Sequence, residues 1–133
     1  MIENTILKRQ REGRQSATLG LTFPAPALIE WAASMGFDAV NLDDECGAFN
    51  PVSVDQIVGL ANDCGMSVTA RVPNIRSDTI NPYMDRGAQG ITGPHAESKE
   101  EAQTLAQACL CLVAGSAPTR KRPTRSTPAA RSP

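Results

Sequence analysis

Three consecutive acids, Asp43, Asp44 and Glu45, close an apolar run that begins at Phe37, and Cys46 follows them directly. Arg71 stands two residues before Pro73 at the end of a second apolar run. His95, the only histidine, follows Gly93-Pro94 after a third. Carboxylates, a guanidinium, a thiol and an imidazole thus each stand where an apolar run stops. Together these groups suit chemistry on a small anion. The fork of Arg71 can hold a carboxylate or enolate through two parallel hydrogen bonds. Asp43 and Glu45 can orient a neighbour or ligate a cation, and an imidazole can move a proton near neutral pH. The Cys46 thiol is poorly suited to that last task, because its ordinary pKa lies near 8.5 and adjacent carboxylates push it higher. Each residue also has a plainer reading. Arg71 can be a surface ion pair, the acids a solvated loop with Asp44 facing water, Cys46 a small buried apolar group, and His95 an exposed loop residue.

The elements that must position these groups follow from apolar runs and their punctuation. Residues 3–12 read as a short amphipathic helix ended by Gly13, and 16–22 as a first strand. Pro26 suits a first helical position, so 27–35 is a helix with Leu28, Ile29, Trp31 and Ala32 as its apolar face. Trp31 and Met35 are expected in the core. A strand over 38–43 and a helix from an N-cap at Ser53 to Cys64 follow, the helix directing Ile57, Val58, Leu60 and Ala61 inward. The third strand is 66–72. A helix capped by Ser77 runs to Asp85, with Pro82 interrupting it or delaying its start. Residues 88–92 form a fourth strand. Ser98 and Glu101 have capping-box spacing ahead of a helix to about Leu110. Gly36, Gly65 and Gly87 each end a helix just before a strand. A helix followed by four βα units in series is the pattern of a parallel α/β sheet. At that end of such strands ligands bind. Periodicity leaves two architectures open, half of an eight-fold barrel or a small doubly wound sheet.

The chain has 133 residues, fewer than the roughly 200 that a whole α/β barrel requires. Its aromatic content of 4% means that the core rests on Ala, Val, Leu and Ile. The net charge of −1 hides a division: all 14 acids lie in residues 1–110, while 111–133 carry five basic residues and no acid. That basic, proline-rich tail lacks large apolar side chains and is expected to be disordered. The expected division is a folded part, 1–111, and a disordered tail, 112–133. Nucleic-acid binding is not expected. The four cysteines lack zinc-finger spacing and read as reduced thiols in a cytoplasmic protein. There is no signal-peptide pattern at the N-terminus and no apolar run of the ~20 residues a membrane helix needs.

Several motifs, taken in order, resemble the metal-dependent hydroxy-oxo-acid aldolases of the HpcH/HpaI type. Residues 27–38, ending in Gly36-Phe37-Asp38, look like that family's first helix and turn. Asp43-Asp44-Glu45-Cys46-Gly47 resembles its Asp-x-Glu-His-Gly motif, and Ala70-Arg71-Val72-Pro73 its strand-3 arginine motif. Residues 84–91 resemble its Leu-Asp-x-Gly-Ala-x-Gly motif, and 94–102 its Pro-x-x-x-(Ser/Thr)-x-(Asp/Glu)-(Asp/Glu)-Ala segment. The resemblance covers about residues 3–110 and implies the N-terminal half of an eight-fold TIM barrel. It also implies a carbon–carbon lyase cleaving 4-hydroxy-2-oxo acids to pyruvate and an aldehyde. A divalent ion, Mg²⁺ or Mn²⁺, is the implied electron sink; the family's metal ligands lie beyond the matched region, so none is expected in this chain. Arg71 is the implied substrate-binding and catalytic residue, and Asp43 and Glu45 the accompanying acids; His95 is a substrate-side candidate only because the C-terminal strand ends share one mouth. Cys46 takes the place of the expected histidine. The chain is accordingly expected to be inactive alone. The alternative is a catalytically dead remnant serving as an oligomerisation or binding module. The change of composition after residue 110 is what a frameshift or an early end of a longer gene would produce. An open half-barrel is expected to expose two sheet edges and a hydrophobic face, and therefore to self-associate as a homo-oligomer.

Overall fold

The computed structural model describes residues 2–114, with side chains through Leu110. Its elements are α1 (Thr5–Arg11), β1 (Thr18–Leu21), α2 (Pro26–Ser34), β2 (Ala39–Asp43), α3 (Pro51–Asp63), β3 (Ser67–Arg71), α4 (Ser77–Asp85), β4 (Gly90–Thr92) and α5 (Lys99–Ala114). Every expected helix and strand is present. The four strands are parallel and lie in the order β1-β2-β3-β4. A doubly wound sheet reverses strand order at a switch point; this one never does. The helices form one layer, with α2 against α3, α3 against α4 and α4 against α5. The architecture is therefore that of a partial (β/α)8 barrel.

Strand alternation sorts the side chains. Val40, Leu42, Val68 and Ala70 are buried under the helices, where Ile29, Ala32, Ile57, Val58, Ala61 and Ile80 meet them. The opposite face carries two cross-strand rows, Gly20-Asn41-Thr69-Gly90 and Asp43-Arg71-Thr92. Thr69 Oγ1 donates to Asn41 Oδ1 at 2.9 Å along the first row. The expectation of a hydrophobic open face is thus wrong. With period two, the apolar set of each strand is spent on the helix layer, and small or polar residues remain for the other side.

The N-terminal ends of the strands are closed by α1. Thr5 N–H donates to Ser67 Oγ at 2.8 Å, and Ser67 N–H donates back to Thr5 Oγ1. Arg9 Nε donates to Asp38 Oδ1 at 2.7 Å, while Asp38 Oδ2 accepts from Ala17 N–H. Burial alone would raise the Asp38 pKa, but the bonds from Ala17 and Arg9 outweigh it and hold the carboxyl below its ordinary value. Gln89 Nε2 reaches the Ile2 carbonyl at 2.8 Å, so β4 is tied in as well. In a barrel this end serves stability, leaving the other free for function.

Several local expectations need correction. Trp31 and Met35 are exposed; Ile29 and Ala32 supply the core-facing arc of α2, and Leu28, Trp31 and Met35 fall to its side. Asn50, not Ser53, caps α3: its Oδ1 accepts from Val52 N–H and Ser53 N–H, and Pro51 takes the first helical position. Ser53 is the third helical residue and returns a contact to Asn50. Ser77 lies inside α4 behind Arg76, and the helix runs on through Pro82. The capping box at Ser98 and Glu101 is formed: Glu101 N–H donates to Ser98 Oγ and Ser98 N–H to Glu101 Oε2. Helix α5 continues past Leu110 to Ala114. Residues 115–133, most of the expected disordered tail, lie outside the described residues.

Candidate active site

At the C-terminal end of the sheet, Asp43 and Arg71 are direct neighbours in the β2–β3 register. Parallel pairing places both side chains on the open face, so their contact is dictated by the strands. Arg71 Nε and Nη2 donate to Asp43 Oδ1 and Oδ2 at 2.8 and 2.7 Å, a bidentate fork. Its remaining terminal nitrogen, Nη1, lies 2.7 Å from Glu45 Oε2. Glu45 Oε1 is 2.7 Å from His95 Nε2. A continuous chain of polar contacts therefore runs Asp43–Arg71–Glu45–His95 and draws on the ends of β2, β3 and β4. Four of the five sequence-selected residues meet at one mouth.

Their environments differ. The fork from Arg71 is the main cause holding the Asp43 carboxyl below its ordinary pKa; the same fork raises Arg71. Both groups border solvent, so the pair orders the mouth more than it stabilises the fold. The sign of its pH effect is definite. A depressed carboxyl pKa contributes above the unfolded-state value, near 3.9 for Asp, and the contribution is lost as pH falls through the lower folded value. We expect an NMR titration to place the Asp43 midpoint below the ordinary aspartate value, and Arg71→Ala to return it toward that value. An unchanged midpoint in the variant would mean the fork is absent in solution.

His95 is the most open of the group, with 81% of its side chain exposed against 21% for Glu45. Its backbone is left-handed, φ 47°, a conformation uncommon outside glycine. That turn aims the ring back across the mouth toward Glu45. Both sequence readings of His95 meet here, an exposed loop residue and a member of the site. Cys46 is exposed rather than buried. It follows Glu45 in the turn that leads to Gly47, φ 74°, and so cannot tuck under the helices. Cys64 and Cys109 are also unpaired; the side chain of Cys111 lies outside the described residues.

Asp44 does not face solvent. It is 3% exposed, accepting from Phe49 N–H at 2.9 Å and from the Tyr83 hydroxyl. Burial first, and then this carboxylate, push the Tyr83 phenol well above its ordinary pKa, so it stays a donor. The Asp44 N–H donates to the Arg71 carbonyl at 2.9 Å. Period-two alternation explains the result: Asp43 and Glu45 turn toward the mouth, and the residue between them must turn under the loop. Tyr83 and the Phe49 amide are the members of this constellation that the sequence reading missed. The available signal was Tyr83 itself, the sole tyrosine, three residues beyond Ile80 on the buried face of α4.

The described residues do not form a cage for a divalent ion. They contain no group of three or more His, Cys, Asp or Glu side chains placed to hold one. Asp43 and Glu45 are engaged with Arg71, and Asp44 is spent on Tyr83 and Phe49. What the mouth offers is a guanidinium beside an exposed imidazole, which suits an anion with an acidic or basic proton nearby.

No protein-family model matches the chain. It is 31% identical over 109 residues to 4-hydroxy-2-oxovalerate aldolase of Rhodococcus jostii, covering 80% of this chain and 42% of that protein. It is 27% identical over 108 residues to a 4-hydroxy-4-methyl-2-oxoglutarate aldolase of Chaetomium globosum, covering 80% and 40%. An HpcH/HpaI aldolase from Desulfitobacterium hafniense superposes with a TM-score of 0.74 at 22% identity, over 80% of this chain and 41% of that one. The chain is similar in sequence to oxo-acid aldolases and in fold to an HpcH/HpaI aldolase. The citrate synthase SbnG has the same fold here, with a TM-score of 0.70 at 26% identity, over 76% of this chain and 41% of that one. The chain thus spans about two-fifths of the length of the curated relatives it matches. Among the described residues no helix is long and apolar enough to cross a membrane.

Proposed function

We propose that this aldolase relative carries the anion-binding part of a lyase site for 4-hydroxy-2-oxo acids, which are cleaved to pyruvate and an aldehyde. The observation that carries the reading is Arg71, fixed between Asp43 and Glu45 at the C-terminal end of β3 in a chain similar to oxo-acid aldolases. A guanidinium held on two sides cannot turn away, so its charge is aimed before the substrate arrives. The oxo-acid carboxylate approaches Arg71 from the open face. Glu45 orients His95, whose exposed ring can exchange a proton with solvent or with the bound acid. Cys46 adds a thiol beside these groups and is a poor replacement for an imidazole there.

Resemblance implies Mg²⁺ or Mn²⁺ for such cleavage. The described residues contain no three His, Cys, Asp or Glu side chains placed to hold such an ion. In this reading the folded part carries the site, and the protein is a cytoplasmic, self-associating one whose partner is a small oxo acid, not nucleic acid. By itself the chain is inactive. The second reading, a dead remnant kept as an oligomerisation or binding module, is favoured by Cys46 at the expected histidine position.

Pyruvate binding measured by calorimetry or ligand-observed NMR separates the two. We expect weak binding that Arg71→Ala reduces at least ~10-fold, the loss of one charge-assisted bidentate contact. Arg71→Lys should not restore it, because an ammonium lacks the fork. Pyruvate binding indifferent to Arg71, or none at all, would favour the remnant.

A further inference from the structure

We propose that two copies of this chain close into one eight-stranded barrel, with β1 of each copy pairing in parallel with β4 of the other about a two-fold axis along the strands. The inference deepens the self-association reading above by naming the surfaces, and it is independent of any catalytic activity.

Three features of the structure point to it. The first is the pair of free edges. Among the described residues β1 pairs only with β2, and β4 only with β3. Neither strand, Thr-Leu-Gly-Leu nor Gly-Ile-Thr, contains a charge or a proline, two of the devices that blunt exposed edges. Because all four strands run the same way, a two-fold axis along them sets each β1 parallel to a β4. Both edges disappear at once, and the strand count becomes that of the eight-fold barrel.

The second is an apolar flank in the right place. Leu28, Trp31 and Met35 form a stripe along α2, 41%, 53% and 63% exposed. Helix α2 follows β1, and its other neighbours are satisfied: Ile29 and Ala32 enter the core, and α3 packs against it. In the closed ring the helix that follows β4 of the second copy, α5, lies over the new β4–β1 pair and so beside α2. Its exposed Leu110 is an apolar counterpart near that seam. A large contiguous apolar patch beside an unpaired edge is an interaction surface.

The third is the open face itself. Its rows of Gly, Asn and Thr are small enough to face a second set across a barrel interior, with Asn41 and Thr69 as hydrogen-bonding groups. A polar face of this kind also disfavours unordered hydrophobic stacking. Closure brings two Asp43–Arg71–Glu45–His95 sets around one mouth, so a site open on one side in a single copy becomes enclosed by both.

The test uses the full chain. Light scattering should give a dimer and no larger species. Hydrogen exchange across a dilution series should show residues 18–21 and 90–92 gaining protection together as the dimer forms, while α1 and β3 stay unchanged. Trp31→Glu, a change at an exposed position, should weaken dimerisation at least 10-fold with an unaltered far-ultraviolet circular dichroism spectrum. Leu28→Glu provides the same test should Trp31→Glu misfold. A monodisperse monomer overturns both this inference and self-association. A dimer whose β1 and β4 amides stay unprotected, or one indifferent to both α2 variants, overturns this inference alone. Pyruvate binding does not enter any of these readouts, so the proposed chemistry stands or falls separately.

Discussion

Asp44→Ala lowers the stability of the chain by about 2–6 kcal/mol, since it leaves two buried donors, the Tyr83 hydroxyl and the Phe49 amide, without an acceptor at about 1–3 kcal/mol each. For a folded unit of this size that is a fall in Tm of at least about 10 °C. The effect is large because this carboxylate organises three elements. It is the residue after β2, it receives the end of the loop to α3 through Phe49, and it receives α4 through Tyr83. Asp44→Asn keeps an oxygen that can accept from one or both donors and should cost much less. Tyr83→Phe removes one of two donors from a buried carboxylate and should cost about 1–3 kcal/mol. Denaturant unfolding of the three variants provides the check. An Asp44→Ala variant within about 0.5 kcal/mol of the native chain, the range of ordinary surface changes, would return Asp44 to the solvated loop that its acidic neighbours suggest.

The contrast between Asp43 and Asp44 shows how far the sequence reaches. Glycine-stopped helices alternating with short apolar strands are local signals, so the order of nine elements was legible. Side-chain alternation is local too: applied past the end of β2, it turns Asp43 and Asp44 to opposite faces. What the sequence did not display is the depth of each face. Trp31 and Leu28 have the hydrophobicity of core residues, but the small aromatic-poor core of this sheet is already filled on that arc by Ile29 and Ala32. The helix starts were misplaced for a similar reason. Asn50 and Ser53 are both good caps, and Pro51 between them, which needs no amide partner, decides for Asn50. Meeting of Arg71 with Asp43 and Glu45 depends on strand register, a long-range property that apolar runs do not encode. The resemblance to the aldolases put the three residues in one site but did not put them in contact. His95 in contact with Glu45 required the left-handed turn after Gly93-Pro94, for which the residue type gives no warning.

Pyruvate release from a 4-hydroxy-2-oxo acid, with Mn²⁺ present, should be at least ~10³-fold slower for this chain than for a relative spanning the whole length, and Cys46→His should not restore it. Loss of a positioned general base alone costs about 10²–10⁴-fold, and loss of preorganised charge at the reacting oxygens about 10²–10³-fold. Groups acting in one step are strongly non-additive, so returning one of them recovers little while the other is missing. Position 46 is exposed, so the imidazole can be introduced without disturbing the core, and an absence of rescue cannot be blamed on misfolding. Its neighbours set the limit. Glu45 is already shared between Arg71 and His95, and Asp43 is held by both nitrogens of the Arg71 fork. Among the described residues no three His, Cys, Asp or Glu side chains are placed to hold a cation. A coupled assay for pyruvate on the native chain, on Cys46→His and on Cys46→His with His95→Ala decides the matter. Rescue in the single variant that His95→Ala removes would show that Asp43, Glu45 and the two imidazoles suffice to hold the ion, and that the site is complete within residues 2–114.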